Sequence, residues 1–268
     1  MSALNVAMFG LGEAGALMAK DLVDAKVQVT AFDPANVATP AGVIRANTPH
    51  EAVATSDLVI ALTAGDDALT AMEQALEAIP TGAIYADFST NSVAIKQQLA
   101  ARAASRQLHF VDVALMSIVP GKGIRTPVMV AGTGARSFAS IFAEFAMPVE
   151  VVAGEAGAAA QRKLLRSVMM KGLAAVIIEA MRAAEAAGCS EWLWGNITTE
   201  LATADAALIT RLVAGTNTHA KRRLHEMQCT EALLQTLALD PVMTHATVES
   251  LQQVLAQGIP AIPNSVIN

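Results

Sequence analysis

Cysteine, aromatic side chains and charge are all scarce in this chain. Cys189 and Cys229 are the only two cysteines in 268 residues and neither has a CxxC partner. No disulfide framework can staple the fold, and both read as small apolar residues in a reducing compartment. Charged residues make up 16% and the formal charge is -6, which disfavours non-specific nucleic-acid binding. The chain is 53% hydrophobic with a mean hydropathy of +0.44, yet no window offers the ~18 consecutive apolar residues of a membrane span. Its longest uncharged stretch, 250–268, is interrupted by Gln252, Gln253, Gln257, Pro260, Pro263 and Asn264. No basic residue precedes Lys20, so neither a secretory signal nor a transit peptide is expected, and the chain reads as cytoplasmic. No cluster has metal-ligand spacing and no Gly-x-Ser-x-Gly elbow occurs, which disfavours metal hydrolysis and serine nucleophile chemistry.

Alanine, the commonest residue, supplies the apolar excess instead, and points to closely packed helices and buried strands. Strand-like runs at 4–9, 27–32, 57–63, 83–88, 108–114, 127–131 and 149–153 are nearly continuous in apolar residues, as in parallel strands covered on both faces. Helical stretches at 13–25, 67–79, 92–105 and 135–145 lie between them. Thr48-Pro49-His50-Glu51 is a capping box that opens a further helix. The alternation predicts an α/β domain with a doubly wound, mostly parallel sheet over 1–153. No proline then occurs from 155 to 187, and Gly188 is placed as a left-handed cap. A helix of that span is ~50 Å long, more than one small domain holds, so it is expected to carry the chain into an all-helical domain over 154–268.

Gly10-Leu11-Gly12-Glu13-Ala14-Gly15 follows the first strand and opens the first helix. A lone GxGxxG is weak, but here the second strand ends at Asp33, 23 residues after Gly10, close to the ~20 expected of a ribose-binding acid. Gly10 is assigned the tight turn, Gly12 the approach to a pyrophosphate and Gly15 the helix–sheet packing, with the helix N-terminus facing the phosphates. Asp33 would accept from the ribose hydroxyls and repel a 2′-phosphate. No Arg or Lys follows before Arg45, so NAD is favoured over NADP. Thr63 and Ala64 end another strand where cofactor contacts fall. Ser89, Thr90 and Asn91 end the next, either capping the following helix or facing a substrate.

In the long helix Ala156, Ala160, Lys163, Ser167, Ala174, Ile178 and Met181 fall on one stripe. A lysine on so apolar a stripe either snorkels to water, which the residues alone favour, or is partly desolvated and suited to proton transfer.

Taken together, Phe9 with the glycine loop, Asp87-Phe88-Ser89-Thr90 and the 154–163 entry into the long helix resemble the β-hydroxyacid dehydrogenase family, which includes 3-hydroxyisobutyrate and 6-phosphogluconate dehydrogenases. The resemblance covers the whole chain in the right order. It implies a Rossmann domain, an all-helical domain and an active site in the cleft between them. It also implies that Lys163 is the general acid/base, with Lys171 the lesser candidate. Thr63 and Ala64 match a cofactor loop, and Ser89 and Thr90 match the first substrate motif. Two departures stand out. The family's Ser-Gly-Gly segment is replaced by Asp112-Val113-Ala114-Leu115-Met116-Ser117-Ile118, leaving Ser117 as the hydroxyl. The Asn four residues after the lysine is Ser167. Arg166-Ser167-Val168-Met169-Met170-Lys171-Gly172, Met116-Ser117 and residues 218–227 resemble a divergent branch, so no familiar substrate is carried over.

The expected activity is hydride transfer between NAD and a small, anionic hydroxy acid or related polar alcohol. Lys163 would move the hydroxyl proton, and Ser89, Thr90, Ser117 and Ser167 would orient the substrate. Arg166, or Lys221, Arg222 and Arg223, would pair with its anionic group. The rivals are imine reduction on the same fold, whose members commonly replace the lysine, and a cofactor-binding sensor without turnover. A long apolar helix in a small helical domain also points to a homodimer.

Overall fold

A computed structural model of the chain describes residues 4–262. The residues before Leu4 and the end of the uncharged C-terminal stretch, from Pro263, lie outside the described residues. Two compact units divide between Arg166 and Ser167.

The first unit opens with β1 (Asn5–Phe9), α1 (Glu13–Asp24), β2 (Gln28–Phe32), β3 (Ile44–Arg45), α2 (Pro49–Val53) and β4 (Leu58–Ala61). It continues with α3 (Ala68–Ala75), β5 (Ile84–Asp87), α4 (Val93–Ser105), β6 (His109–Leu115), β7 (Val128–Ala131), α5 (Ala135–Ala143), β8 (Val149–Val151) and the start of α6 (Ala158–Ala186). The described strands form one sheet in the order β3-β2-β1-β4-β5-β6-β7-β8. Every neighbouring pair is parallel except the antiparallel β6 and β7. The chain therefore builds outward from β1 through β3, returns, and builds the other way from β4. The crevice at the ends of β1 and β4 is the topological switch point of a doubly wound sheet.

Alternate strand residues feed two cores, because successive side chains point to opposite faces. Val6, Met8, Leu58 and Ile60 join Met18 and Leu22 of α1 and Phe138 and Phe142 of α5, whose rings stack 4.1 Å apart. Ala7, Phe9, Val59 and Ala61 face α2, α3 and α4 through Val53, Met72 and Leu99. Each fully buried side chain of this size contributes about 1.5–3 kcal/mol. The two-residue β3 is an addition to the seven strand-like runs of the sequence. It follows a stretch holding Pro34, Pro40 and Gly42 and is too short for periodicity to register.

Helix starts follow local chemistry where it is available. Thr48 Oγ1 accepts from Glu51 N–H at 3.2 Å, and the Glu51 carboxylate accepts from Asn47 N–H, one residue earlier than a standard box. Ser92 caps α4 through Ile95 N–H.

The second unit holds the rest of α6, then α7 (Ser190–Ala202), α8 (Ala206–Thr236) and α9 (Val242–Gln257), and no strand among its described residues. Helix α6 begins three residues later than expected, because Gly154 and Gly157 both have positive φ (125° and 100°). It ends where expected. Gly188 has φ 71°, its N–H donates to Glu185 and Cys189 N–H donates to Ala184, the paired bonds of a left-handed C-terminal cap. The expected stripe is buried only in part: Ala156 and Ala160 are buried, but Ile178 is 52% exposed. No described helix is long and apolar enough to cross a membrane.

Candidate active site

The glycine loop sits at the switch point. Gly10 takes φ 90° and its N–H donates to Phe32 O at 3.0 Å; a Cβ there would overlap the Leu62 carbonyl. On Gly15 a Cβ would overlap the Gly10 carbonyl, so this glycine seats α1 against the loop. Gly12 differs. It is the N-cap of α1, no side chain caps that terminus, and a Cβ on it would meet nothing within 4 Å. The start of α1 thus has no capping side chain and an open approach at Gly12, as an anion-binding helix start requires. Leu11 is buried, whereas Glu13 is exposed and Ala14 half-buried at the start of α1.

Asp33 folds back onto this loop. Its Oδ2 accepts from Leu11 N–H at 2.7 Å and its Oδ1 from Ala35 N–H at 2.8 Å. Arg45, 12 residues on in sequence, lies alongside in space: its Nη2 donates to Asp33 O at 2.5 Å and Ala35 O at 2.9 Å. Pairing of β3 with β2 brings it there. The premise that no cation stands near Asp33 is therefore corrected, because sequence distance past a sheet crossover is not spatial distance. The buried Nη1 of Arg45 has no hydrogen-bond partner.

A cavity of about 440 Å³ opens beside these residues, lined by Gly10, Gly12, Asp33, Thr63, Ala64 and Asp67 among others. Thr63 Oγ1 is buried there without a partner. An orphaned hydroxyl, an uncapped helix start and a carboxylate at the rim match the donors and acceptors a dinucleotide presents. Asp67, Thr70 and Gln74 also line the cavity; the helix opening after β4 was the sequence signal for them.

The ends of β5 and β6 hold a second group. Lys163 Nζ donates to Thr90 Oγ1 at 2.8 Å. Ser89 Oγ donates to Asp87 Oδ2 at 2.8 Å and accepts from Asn91 Nδ2, which also donates to Gly65 O at 3.0 Å, joining this loop to the one after β4. Behind them Lys96 of α4, 1% exposed, lies 2.7 Å from Asp87 Oδ2 and 3.2 Å from Asp112 Oδ1. Sequence reasoning did not single out this buried group. Its signal was an Asp in each of two otherwise apolar strands, directly opposite in register, where like charges demand a cation between them. Burial and the Asp87 carboxylate hold the Tyr85 hydroxyl well above its ordinary pKa.

Ser117, past the end of β6, accepts from Lys122 Nζ at 2.7 Å. Ser167 lies one turn beyond Lys163 on α6 and is half-buried, while Lys171 is exposed. Of Lys221, Arg222 and Arg223, Arg222 pairs with Glu226 at 2.9 Å and Arg223 donates to Leu212 O at 3.1 Å on its own helix.

Comparison with known proteins agrees with this geometry. The NAD binding domain of 6-phosphogluconate dehydrogenase matches residues 5–154, and a domain of unknown function (DUF1932) matches residues 184–254. The uncharacterized 28.5 kDa protein in the 7S RNA 5′ region of Methanothermus fervidus is 28% identical over 138 residues, 52% of this chain and 53% of that protein, so the match spans about half of that curated relative. A conserved protein of unknown function, with reported structural similarity to 3-hydroxyacid dehydrogenases, superposes with a TM-score of 0.60 at 25% identity, covering 96% of this chain and 100% of that one. The reductive aminase of Aspergillus terreus, solved with NADPH and ethyl levulinate, has a TM-score of 0.79 at 18% identity over 96% of this chain and 95% of that one, a likeness of fold. With its glycine loop and switch-point cavity in an NAD(P)-binding Rossmann domain, and a helical DUF1932 domain after it, the chain belongs to the family built on the NAD binding domain of 6-phosphogluconate dehydrogenase.

Proposed function

We propose that this protein transfers a hydride between NAD and a small hydroxy acid, with Lys163 moving the hydroxyl proton. The observation that carries the reading is the 2.8 Å hydrogen bond from Lys163 Nζ to Thr90 Oγ1, which puts an amine at the carboxyl end of β5 in a dinucleotide-binding sheet. The nicotinamide, when bound, supplies the hydride acceptor. Gly10, Leu11, Gly12, Glu13, Ala14 and Gly15 would hold the pyrophosphate at the start of α1, with Asp33, Thr63 and Ala64 completing the cofactor contacts. In the oxidative direction the neutral Lys163 amine takes the alcohol proton as the carbon–hydrogen bond breaks; in reduction the ammonium returns it to the forming alkoxide. Thr90 orients the amine, Ser117 supplies a further hydroxyl to the substrate, and Ser89, whose hydroxyl is taken by Asp87 and Asn91, fixes the turn that carries Thr90. The Lys122 ammonium beside Ser117 suits a carboxylate.

Imine reduction is the second reading, favoured by fold likeness to enzymes such as the imine reductase of Pseudomonas sp., at a TM-score of 0.76 and 17% identity. Retention of Lys163 supports the hydroxy acid instead. Asp33 favours NAD, with Arg45 beside it moderating that preference. A homodimer is part of the proposal, supported by the exposed Leu165, Val168 and Met169 of α6 and Trp192 and Trp194 of α7.

Turnover of a hydroxy-acid panel with NAD tests the assignment. Lys163→Ala should lose on the order of 10²–10⁴ in kcat, the usual worth of a general acid/base, with NADH affinity kept. A variant as active as wild type would remove Lys163 from the chemistry. Tight NADH binding with no turnover on any substrate would favour a sensor.

A further inference from the structure

Two carboxylates that share one buried cation sit behind both partners of the Lys163–Thr90 hydrogen bond. On one side, Asp87 closes β5. Its carboxylate accepts from Ser89 Oγ at 2.8 Å and from Ser89 N–H at 3.3 Å, fixing the turn whose next residue is Thr90. On the other side, Asp112 reaches from β6 to the first turn of α6. Its Oδ2 accepts from the N–H groups of Gly157 at 3.0 Å, Ala159 at 3.1 Å and Ala160 at 3.0 Å. Lys163 follows Ala160 by three residues, just under one helical turn, so its backbone is set by that anchor. Between the two carboxylates lies Lys96, which also donates to Asp87 O at 2.8 Å. Asp87 is 0%, Asp112 0% and Lys96 1% exposed.

A buried cluster of this composition is costly unless every charge is answered. Here one ammonium answers two carboxylates, and the remaining negative charge is met by the N-terminus of α6 through three backbone donors. A leucine or methionine at position 96 and apolar residues at 87 and 112 would pack the same space without desolvating any charge. What the ionic arrangement adds is direction: it ties the end of β5, the end of β6 and the start of α6 to one point.

We propose that Lys96, Asp87 and Asp112 are positioning residues for the Lys163 amine, acting through the Ser89–Thr90 turn and the first turn of α6. The inference rests on Lys163 as the proton carrier, but its test does not need the substrate or the cofactor.

The amine itself is the readout. Brief acetylation of the full chain with acetic anhydride, followed by peptide mass analysis, gives the reactivity of Lys163 relative to Lys171 of the same helix in the same sample. Thr90→Val removes the hydrogen bond directly and should raise that ratio about five-fold, the opening of one hydrogen bond of ordinary strength. Asp112→Asn keeps an oxygen to accept from α6 but loses the charge that Lys96 holds, and should raise the ratio by a similar factor. In the Thr90→Val background, Asp112→Asn should add nothing, because the two changes act on one bond. Equal effects of Asp112→Asn with and without Thr90 would overturn the proposal and leave Asp112 a plain helix cap. An unchanged ratio in Asp112→Asn with a lowered melting temperature would do the same. Ser89→Ala, milder than Asp112→Asn, covers the case in which the latter does not fold: it should also raise the ratio, and only when Thr90 is present. Because no turnover is measured, failure of this cycle leaves the dehydrogenase reading standing, and loss of that reading leaves the cycle intact.

Discussion

In the proposed cofactor site the charges of Asp33 and Arg45 would pull cofactor choice in opposite directions. The Asp33 carboxylate already accepts from Leu11 and Ala35 N–H groups, so it is fixed in place before any ribose arrives. In that site it would repel a 2′-phosphate, whereas the Arg45 guanidinium, held on the carbonyls of Asp33 and Ala35, would attract one. Asp33→Ala should therefore raise NADPH affinity relative to NADH by about ten-fold, equivalent to about 1.4 kcal/mol, and Arg45→Ala should shift the ratio the other way. Calorimetric titration with both reduced cofactors measures this directly; an unchanged ratio in both variants would take these residues out of cofactor selection. At this scale the sequence was legible where chemistry is local. Gly10, Gly12, Gly15 and Asp33 share one strand–turn–helix–strand unit, and their spacing alone suggests their work. Arg45 was misjudged because only the β2–β3 pairing brings it back to Asp33. Lys96, Asp87 and Asp112 were missed because a buried ion cluster is defined by who meets whom across three elements.

Helix starts make the same distinction one level up. Thr48, Ser92 and Asp205 cap α2, α4 and α8 from the adjacent chain, and such caps can be read off a sequence. The N-termini of α6 and α9 borrow theirs. Asp112 serves α6, and Glu179 serves α9, accepting from Met243 N–H at 2.7 Å, Thr244 N–H at 2.8 Å and Thr244 Oγ1 at 2.7 Å. Burial pushes the Glu179 carboxyl up, but the bonds from Met243 and Thr244, with the nearby Arg182, outweigh it and hold the pKa below its ordinary value. A carboxyl depressed on folding stabilises above its unfolded pKa, and that contribution is lost as pH falls through the folded one. Glu179→Gln should thus cost about 1 kcal/mol at neutral pH, the usual worth of a helix cap, and the difference from wild type should shrink below about pH 4. Thermal melts of both proteins across that range check it; a gap that persisted undiminished in acid would refute the charge-based account. The proline-free run from 155 to 187 and the glycine after it foretold that α6 exists and that it ends at Gly188. They did not foretell the start at Ala158, where Gly154 and Gly157 take positive φ and the distant Asp112 carboxylate accepts from the first-turn N–H groups.

For the molecule as a whole, the apolar excess of the composition has a location. The sheet of the first unit takes much of it between two covered faces. Another part stays exposed on the helices: Leu165 at 66%, Val168 at 74%, Met169 at 57%, Trp192 at 69% and Trp194 at 55%. Large apolar side chains left exposed together mark a surface that a partner covers, and a second copy of the chain is the proposed cover. Light scattering should give a mass about twice 27.8 kDa, and Val168→Asp should shift it toward the single chain. A mass of one chain in wild type at every concentration would contradict the dimer.

The central claim is that Lys163 and an NAD-type cofactor interconvert a hydroxyl and a carbonyl. It is tested most directly by following the hydride itself. Wild type and Lys163→Ala would be incubated with NADH deuterated at the transferred position and a panel of small oxo acids, with and without an added amine, and the products analysed by mass. The account predicts one deuterium on the carbinol carbon of a hydroxy acid, formed by wild type and not by the variant. Deuterium appearing only in an amine product, or a hydroxy acid formed equally well without Lys163, would contradict it.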